Sequence, residues 1–256
     1  MASQDSIQKT LTVALLLCFV CSVIVSAAAV ILRPMQESNK ALDKKKNILL
    51  AAGLYQENVS VDEQFSVIQT RIVDLSTGLF VDVDDVDAFD QRKSAKDPAT
   101  SQVLSSDADI AKISRRENQA VVYIVESNDT FDKIILPVHG YGLWSTLYGF
   151  VALESDLNTI AGLGFYDHAE TPGLGGEIDN PRWKAFWPGK QVYKDGEVAI
   201  EVVKGAVIAG SDSANYQVDG LSGATLTSRG VSNLLTFWLG KNGFQAFLGN
   251  LKSGSA

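Results

Sequence analysis

The sequence predicts an α+β protein: an N-terminal transmembrane helix, then a domain with a largely antiparallel sheet flanked by helices. Three observations lead there. Residues 11–32, LTVALLLCFVCSVIVSAAAVIL, carry no charged side chain. From residue 119 onward, β-branched and aromatic runs are bounded by turn residues. Helical spacing of apolar residues is concentrated before and after that region.

A helix over residues 11–32 rises about 33 Å, enough for a hydrocarbon core of about 30 Å. The competing reading is a cleaved signal peptide ending near Ala27, Ala28 and Ala29. Such a peptide has an apolar region of about 7–15 residues and a more basic start than MASQDSIQK, so a retained anchor is expected. Residues 1–10 are then a short cytoplasmic tail. Arg33, Lys40, Lys44, Lys45 and Lys46 follow the span and only Lys9 precedes it. That bias leans toward a cytoplasmic C-terminal domain, under a rule that weakens when a large domain follows.

Both cysteines, Cys18 and Cys21, fall inside the span. In lipid their thiols stay protonated, so they read as small polarizable residues on one helix face rather than a redox pair. Residues 33–256 therefore hold no disulfide, no Cys-ligated iron–sulfur cluster and no C-x-x-C-H haem site. With His139 and His168 as the only histidines, a zinc site is poorly supplied. A net charge of −8 argues against nucleic acid as a partner, because that binding needs Lys and Arg to neutralise phosphates.

Residues 37–56 read as a helix continuing from the membrane, apolar in its second half. Residues 60–78 read as another: Ser60 and Glu63 fit a capping box, Phe65, Ile68, Ile72 and Leu75 recur at helical spacing, and Gly78 marks the stop. Residues 81–102 read as a strand and then a solvated loop. The run of Asp82, Asp84, Asp85 and Asp87 lacks the central Gly and final Glu of a calcium loop. Residues 119–127, 133–140, 147–155 and 198–205 read as strands. At the end Val231, Leu234, Leu235 and Trp238 line one helix face, and residues 243–251 make a short final helix. The soluble part divides into residues 33–135, packed on the domain, and a core of residues 136–256.

Two glycine-rich stretches carry the chemistry. In residues 164–178, GFYDHAETPGLGGEI, Gly173, Gly175 and Gly176 follow Pro172, so the backbone can turn tightly and approach a ligand. It is neither a dinucleotide fingerprint nor a Walker loop. Glu170 and Thr171 lie beside it, and Trp183, Phe186 and Trp187 suit either a flat ring ligand or a core. In residues 219–230, DGLSGATLTSRG, a helix starting near Thr225 offers free N–H groups and its positive dipole end, which attract phosphate. Gly223 and Ala224 leave room, and Ser222, Thr225 and Thr227 can donate hydrogen bonds. An N-cap with spare hydroxyls explains the same residues equally well. A serine-hydrolase elbow lacks its final Gly and a His–acid partner.

The pattern D-G-x-S-G-A-T-x-T, here Asp219, Gly220, Ser222, Gly223, Ala224, Thr225 and Thr227, resembles the flavinylation motif of the FMN-binding domain family. ETPGLGGEI, HGYGLWSTLYGFVAL and the single N-terminal span extend the likeness over most of the chain, which looks most like the C subunits of bacterial Na⁺-translocating NADH:quinone oxidoreductases. The G subunits of ferredoxin-linked electron-transport complexes share these features but are typically shorter. A non-redox anchored binding domain is the remaining alternative.

The resemblance implies covalent FMN, joined through its phosphate to Thr225 by a flavin transferase. Ser222, Gly223, Ala224 and Thr227 cradle the phosphate beside Asp219, while Thr171, Gly173, Leu174 and Trp144 border the ring. It also implies a single-pass subunit of the bacterial inner membrane, held in lipid among the other subunits of its complex with its domain in the periplasm. The chain then carries electrons toward quinone as the complex moves Na⁺ outward, with no catalytic or metal-ligating set of its own.

Overall fold

The computed structural model describes residues 6–83, 85–86, 88–127 and 130–256; Asp84 and Asp87 of the acidic run lie outside them. The chain forms two compact units, Met1–Asp43 and Lys44–Ala256.

Helix α1, Ile7–Ala51, runs without interruption through Pro34 and carries the expected apolar span. The span's side chains are exposed throughout, as a lipid-facing helix requires. Two of its hydroxyls bond within the helix. Thr12 Oγ1 donates to the Gln8 carbonyl and Ser22 Oγ to the Phe19 carbonyl, each at 2.8 Å. Cys18 and Cys21 are free and exposed on this helix.

In the second unit follow α2 (Val61–Phe65), β1 (Ile68–Asp74), β2 (Leu79–Val81), α3 (Gln91–Lys96), β3 (Ser101–Val103) and β4 (Arg115–Glu117). Then come β5 (Gln119–Ser127), β6 (Thr130–Tyr141), β7 (Thr146–Glu154), β8 (Ile160–Asp167), α4 (Pro181–Lys184), α5 (Thr225–Leu239) and α6 (Gln245–Ser253). Six strands form one sheet in the order β2-β1-β5-β6-β7-β8, each pair antiparallel. The α+β architecture read from the sequence is the one observed.

Both faces of this sheet are buried. Alternate residues point to opposite sides of a strand, and β5 shows the consequence. Val121, Tyr123 and Val125 join Ile48, Leu49 and Ala51 from the end of α1 in one cluster. Val122 and Ile124 join Val231, Leu234, Leu235 and Trp238 of α5 in the other. Two-sided burial gives near-continuous apolar runs, which is why β5, β6 and β7 stand out in the sequence.

Three readings are corrected. Residues 60–78 are not one helix: Ser60 does cap a helix at Glu63 N–H, but it ends at Phe65 and β1 follows. Ile68 and Ile72 are four residues apart, which fits a strand face as well as a helix face. The β-branched Ile68, Thr70, Ile72 and Val73 favour the strand, and pairing with β5 fixes it. Within residues 81–102 the polar stretch folds as α3, capped by the Asp90 side chain at Lys93 N–H. Residues 198–205 yield only short pieces, Glu197–Val198 and Glu201–Val202. Strand β8 was not anticipated, because Gly162 and Gly164 interrupt its apolar run.

Gly162 has a specific reason to lack a side chain. A Cβ there would stand 2.4 Å from the Ala51 carbonyl oxygen, where α1 ends against the sheet. At Gly164 the nearest group is the flexible end of Lys184, at 4.0 Å. Gly162→Ala is therefore expected to destabilise by about 1–3 kcal/mol and Gly164→Ala by well under about 1 kcal/mol. Denaturant midpoints of the two variants check the contrast.

Candidate functional site

The DGLSGAT segment is fixed from below by backbone and indole contacts. Trp183 Nε1 donates to the Asp219 carbonyl at 2.8 Å, and Asp219 Oδ1 accepts from Val207 N–H at 2.8 Å. Asp219 thus holds the loop in place. Leu221 N–H donates to the buried Ser228 Oγ at 3.1 Å, tying the loop to the first turn of α5. Gly223 adopts φ +72°, a left-handed conformation that favours glycine.

The start of α5 is open. Ala224 occupies the N-cap position without any side-chain cap, and the first helical bond runs from Ser228 N–H to the Ala224 carbonyl at 3.0 Å. The hydroxyls of this segment are therefore not spent on capping. Ser222, Gly223 and Thr225 are exposed, so the uncapped N–H groups and the Thr225 hydroxyl share one accessible surface.

Thr227 lies elsewhere. It is fully buried, and its Oγ1 donates to Glu170 Oε2 at 2.7 Å. Its hydroxyl is directed inward, away from the surface where Ser222 and Thr225 sit. The other oxygen of the same carboxylate, Oε1, accepts from Leu143, Trp144 and Ser145 N–H at 3.0, 2.9 and 3.2 Å. Glu170 therefore joins the turn after β6, its own glycine-rich loop and α5. Gly142 and Gly175 make the approach possible: a Cβ at either would come within 2.7 or 2.6 Å of a Glu170 oxygen. The sequence places Glu170 beside the glycines but carries no signal for its partners, which lie 25 to 57 residues away.

His168 contacts the backbone of Glu170. Its Nδ1 accepts from Glu170 N–H at 3.2 Å and its Nε2 meets Asp179 Oδ2 at 2.7 Å. The hydrogen bond that His168 donates to the Asp179 carboxylate raises the His168 pKa above the ordinary histidine value. His139 is far less available. Burial, with the Arg92 charge nearby, pushes it down to about 4, and its ring stacks on Tyr148 and packs on Trp238.

The glycine-rich loop meets the SGAT segment through Leu174. A Cβ on Gly223 would lie 3.0 Å from Leu174 Cδ2. Thr171 is exposed and its carbonyl closes the turn, accepting from Leu174 N–H at 3.1 Å and Gly176 N–H at 2.9 Å; Gly173 supplies the left-handed φ of +75°. Leu174 and Leu226 are 45% and 51% exposed and Trp144 is 66% exposed, so apolar groups without cover accompany the open helix start. Trp183 and Trp187 are not among them. They are buried, packed edge to face at 5.4 Å, so of the three aromatics beside the loop only Phe186 is exposed. On the side of Thr225 facing residues 201–205, a cavity of about 660 Å³ opens along α5.

The family model of the FMN-binding domain matches residues 142–240, which contain Glu170, the glycine-rich loop and the SGAT segment. The chain is 55% identical to the C subunit of the Na(+)-translocating NADH-quinone reductase of Pseudomonas aeruginosa, with all of both chains covered. It is 51% identical to the C subunit of the same name from Vibrio anguillarum, over 99% of this chain and 98% of the relative. Among solved structures, NqrC of Shewanella oneidensis superposes with a TM-score of 0.78 at 38% identity, covering 84% of this chain and 99% of that one. The C subunit of the Na(+)-translocating NADH-quinone reductase of Parabacteroides distasonis gives 0.65 at 32% identity, covering 85% and 96%.

The Glu170 carboxylate generates a pH prediction. Burial alone would raise its pKa, but the Thr227 hydroxyl and the three N–H donors outweigh it and hold the pKa below the ordinary value. A lowered folded pKa contributes stability that is complete above the unfolded value of about 4.3 and is lost as pH falls through the folded value. The excess of the wild-type unfolding midpoint over that of Glu170→Gln should be constant at neutral pH and shrink below about pH 4. Thermal scans at a series of pH values check it.

Proposed function

The chain belongs to the family of C subunits of Na(+)-translocating NADH-quinone reductases, and from that premise we propose a function: it is the membrane-anchored subunit that carries FMN covalently on Thr225. In this reading the complex passes electrons toward quinone and moves Na⁺ from cytoplasm to periplasm, and this subunit is one relay within it. Residues 1–10 are a cytoplasmic tail and 11–32 cross the lipid of the inner membrane. Residues 33–135 flank residues 136–256, the flavin-carrying core, in the periplasm.

The observation that carries the reading is the exposed Thr225 hydroxyl at an uncapped helix start, beside a left-handed glycine. The residues present fit the cofactor. Gly223 leaves the space that a Cβ would take, the first-turn N–H groups and Ser222 are free to bind phosphate oxygens, and the dipole of the 15-residue α5 favours their charge. Trp144, Leu174, Thr171 and Gly173 supply an adjacent surface suited to a flat ring. Thr227 has a supporting part: through Glu170 it holds the glycine-rich loop and the Trp144 turn against α5.

FMN supplies the redox chemistry, which cysteine-free residues 33–256 lack. The protein's own share is to hold the cofactor at one place. A threonine hydroxyl is a weak nucleophile until a base activates it. His139 is half-buried and packed against Tyr148 and Trp238, and His168 is bonded to Asp179 and Glu170. Attachment therefore falls to a separate flavin transferase.

Thr225→Val should abolish flavin fluorescence of the denatured protein in a gel and cost about 1 kcal/mol of stability, the share of a helix start left unfilled. Thr227→Val should keep the fluorescence and cost about 1–2 kcal/mol of stability, because Glu170 loses a buried donor. Fluorescence retained by Thr225→Val would refute the attachment site. Full-length protein made without the transferase should carry no covalent flavin, and incubation with FMN alone should leave no fluorescence on a denaturing gel. A fusion reporter after Ala256 should be active only if the reporter works outside the cytoplasm; activity of a cytoplasmic reporter would return the domain to the side favoured by Lys44, Lys45 and Lys46.

A further inference from the structure

The cavity beside Thr225 mixes polar side chains with Val202, Val203 and Leu221. From α5 it takes Thr225, Ser228, Arg229, Ser232 and Asn233, spaced as one helix face. The opposite wall is residues 201–205, and the backbone holds it close. Val203 N–H donates to the Val218 carbonyl at 2.9 Å, and Gly220 N–H donates to the Gly205 carbonyl at 2.8 Å. Lys204 lies between these two bonds, so its backbone is fixed alongside the start of the SGAT loop. A Cβ on Gly220 would come 2.2 Å from the Val203 carbonyl oxygen, which keeps that approach reserved for glycine.

The cavity's charges are not balanced within the protein. Among the described residues, Lys204 and Arg229 make no ion pair, although the chain carries a net charge of −8. The one carboxylate of the lining, Glu201, accepts from Gln217 Nε2 at 2.8 Å. Two unpaired cations therefore line the cavity into which the Thr225 hydroxyl is set, one from each wall.

We infer that Lys204 is the counter-ion of the phosphodiester on Thr225, with Arg229 adding positive charge from the α5 side. The cavity accordingly receives the sugar-phosphate chain of the flavin, and the ring lies toward the apolar groups around Leu174 and Trp144. This rests on the FMN reading above. The physics favours it. A phosphodiester keeps one negative charge at neutral pH, an ammonium group is a compact donor to it, and the helix start adds its dipole on a third side.

The test uses the full chain in detergent, with Thr225→Val in every variant so that binding is reversible, and titrates FMN against riboflavin. FMN should bind about tenfold or more tighter than riboflavin, as a charged hydrogen bond implies. Lys204→Gln should erase that preference without changing riboflavin affinity, and Lys204→Arg should keep most of it. In native, flavin-loaded protein with Thr225 intact, the phosphorus NMR resonance of the phosphodiester should move in Lys204→Gln and return in Lys204→Arg. Equal binding of the two flavins, or a preference that survives Lys204→Gln, overturns the inference. So does an unmoved phosphorus resonance, whatever the titration gives. A native protein without flavin would instead overturn the FMN reading itself, and this inference with it.

Discussion

Three segments with no sequence proximity converge on the carboxylate of Glu170. One oxygen takes the N–H groups of Leu143, Trp144 and Ser145, and the other takes the Thr227 hydroxyl. A buried carboxylate is costly unless its lone pairs are used, and here four donors use them. The arrangement is therefore rigid in both directions. The loops position the carboxylate, and the carboxylate cannot release a loop without leaving charge or an N–H group unpaired. Gly142 and Gly175 are part of the same constraint, because side chains at those positions would occupy the space of the oxygens.

The sheet provides the second level of fixation. Its two faces are assigned to different helices, with the end of α1 on one and α5 on the other. Strands buried on both sides leave little freedom of register, since a one-residue slip would exchange the partners of every side chain. Thr225 thus stands on a helix whose apolar face is pinned by Val231, Leu234, Leu235 and Trp238, while its polar face remains open to solvent and to the cavity.

Much of this is legible in the sequence, for identifiable reasons. The apolar span, β5 to β7, the amphipathic α5 and the SGAT segment each carry a local pattern that survives folding unchanged. Residues 68–75 mislead because the spacing of Ile68 and Ile72 suits both a helix and a strand. Strand β8 hides because Gly162 and Gly164 dilute its signal, one of them for the sake of a contact with Ala51 that no local window contains. The role of Thr227 is hidden in the same way. Its motif position is plain, but its direction is decided by Glu170, 57 residues earlier. Trp183 and Trp187 look available beside a glycine loop and prove to be core, since burial of large rings is the commoner use of such residues.

The uncapped start of α5 has a consequence for how the molecule is completed. An unfilled N-cap typically forgoes about 1 kcal/mol of helix stability. A phosphate held by those same N–H groups would return that amount, so under the proposed attachment the last contacts of the fold are made by chemistry after the chain has folded. The unmodified chain is then a slightly unfinished object at the exposed residues Ser222, Gly223, Thr225 and Leu226, while Thr227 beneath them is already fixed. Such an exposed segment is where a modifying enzyme can gain entry without unfolding the core.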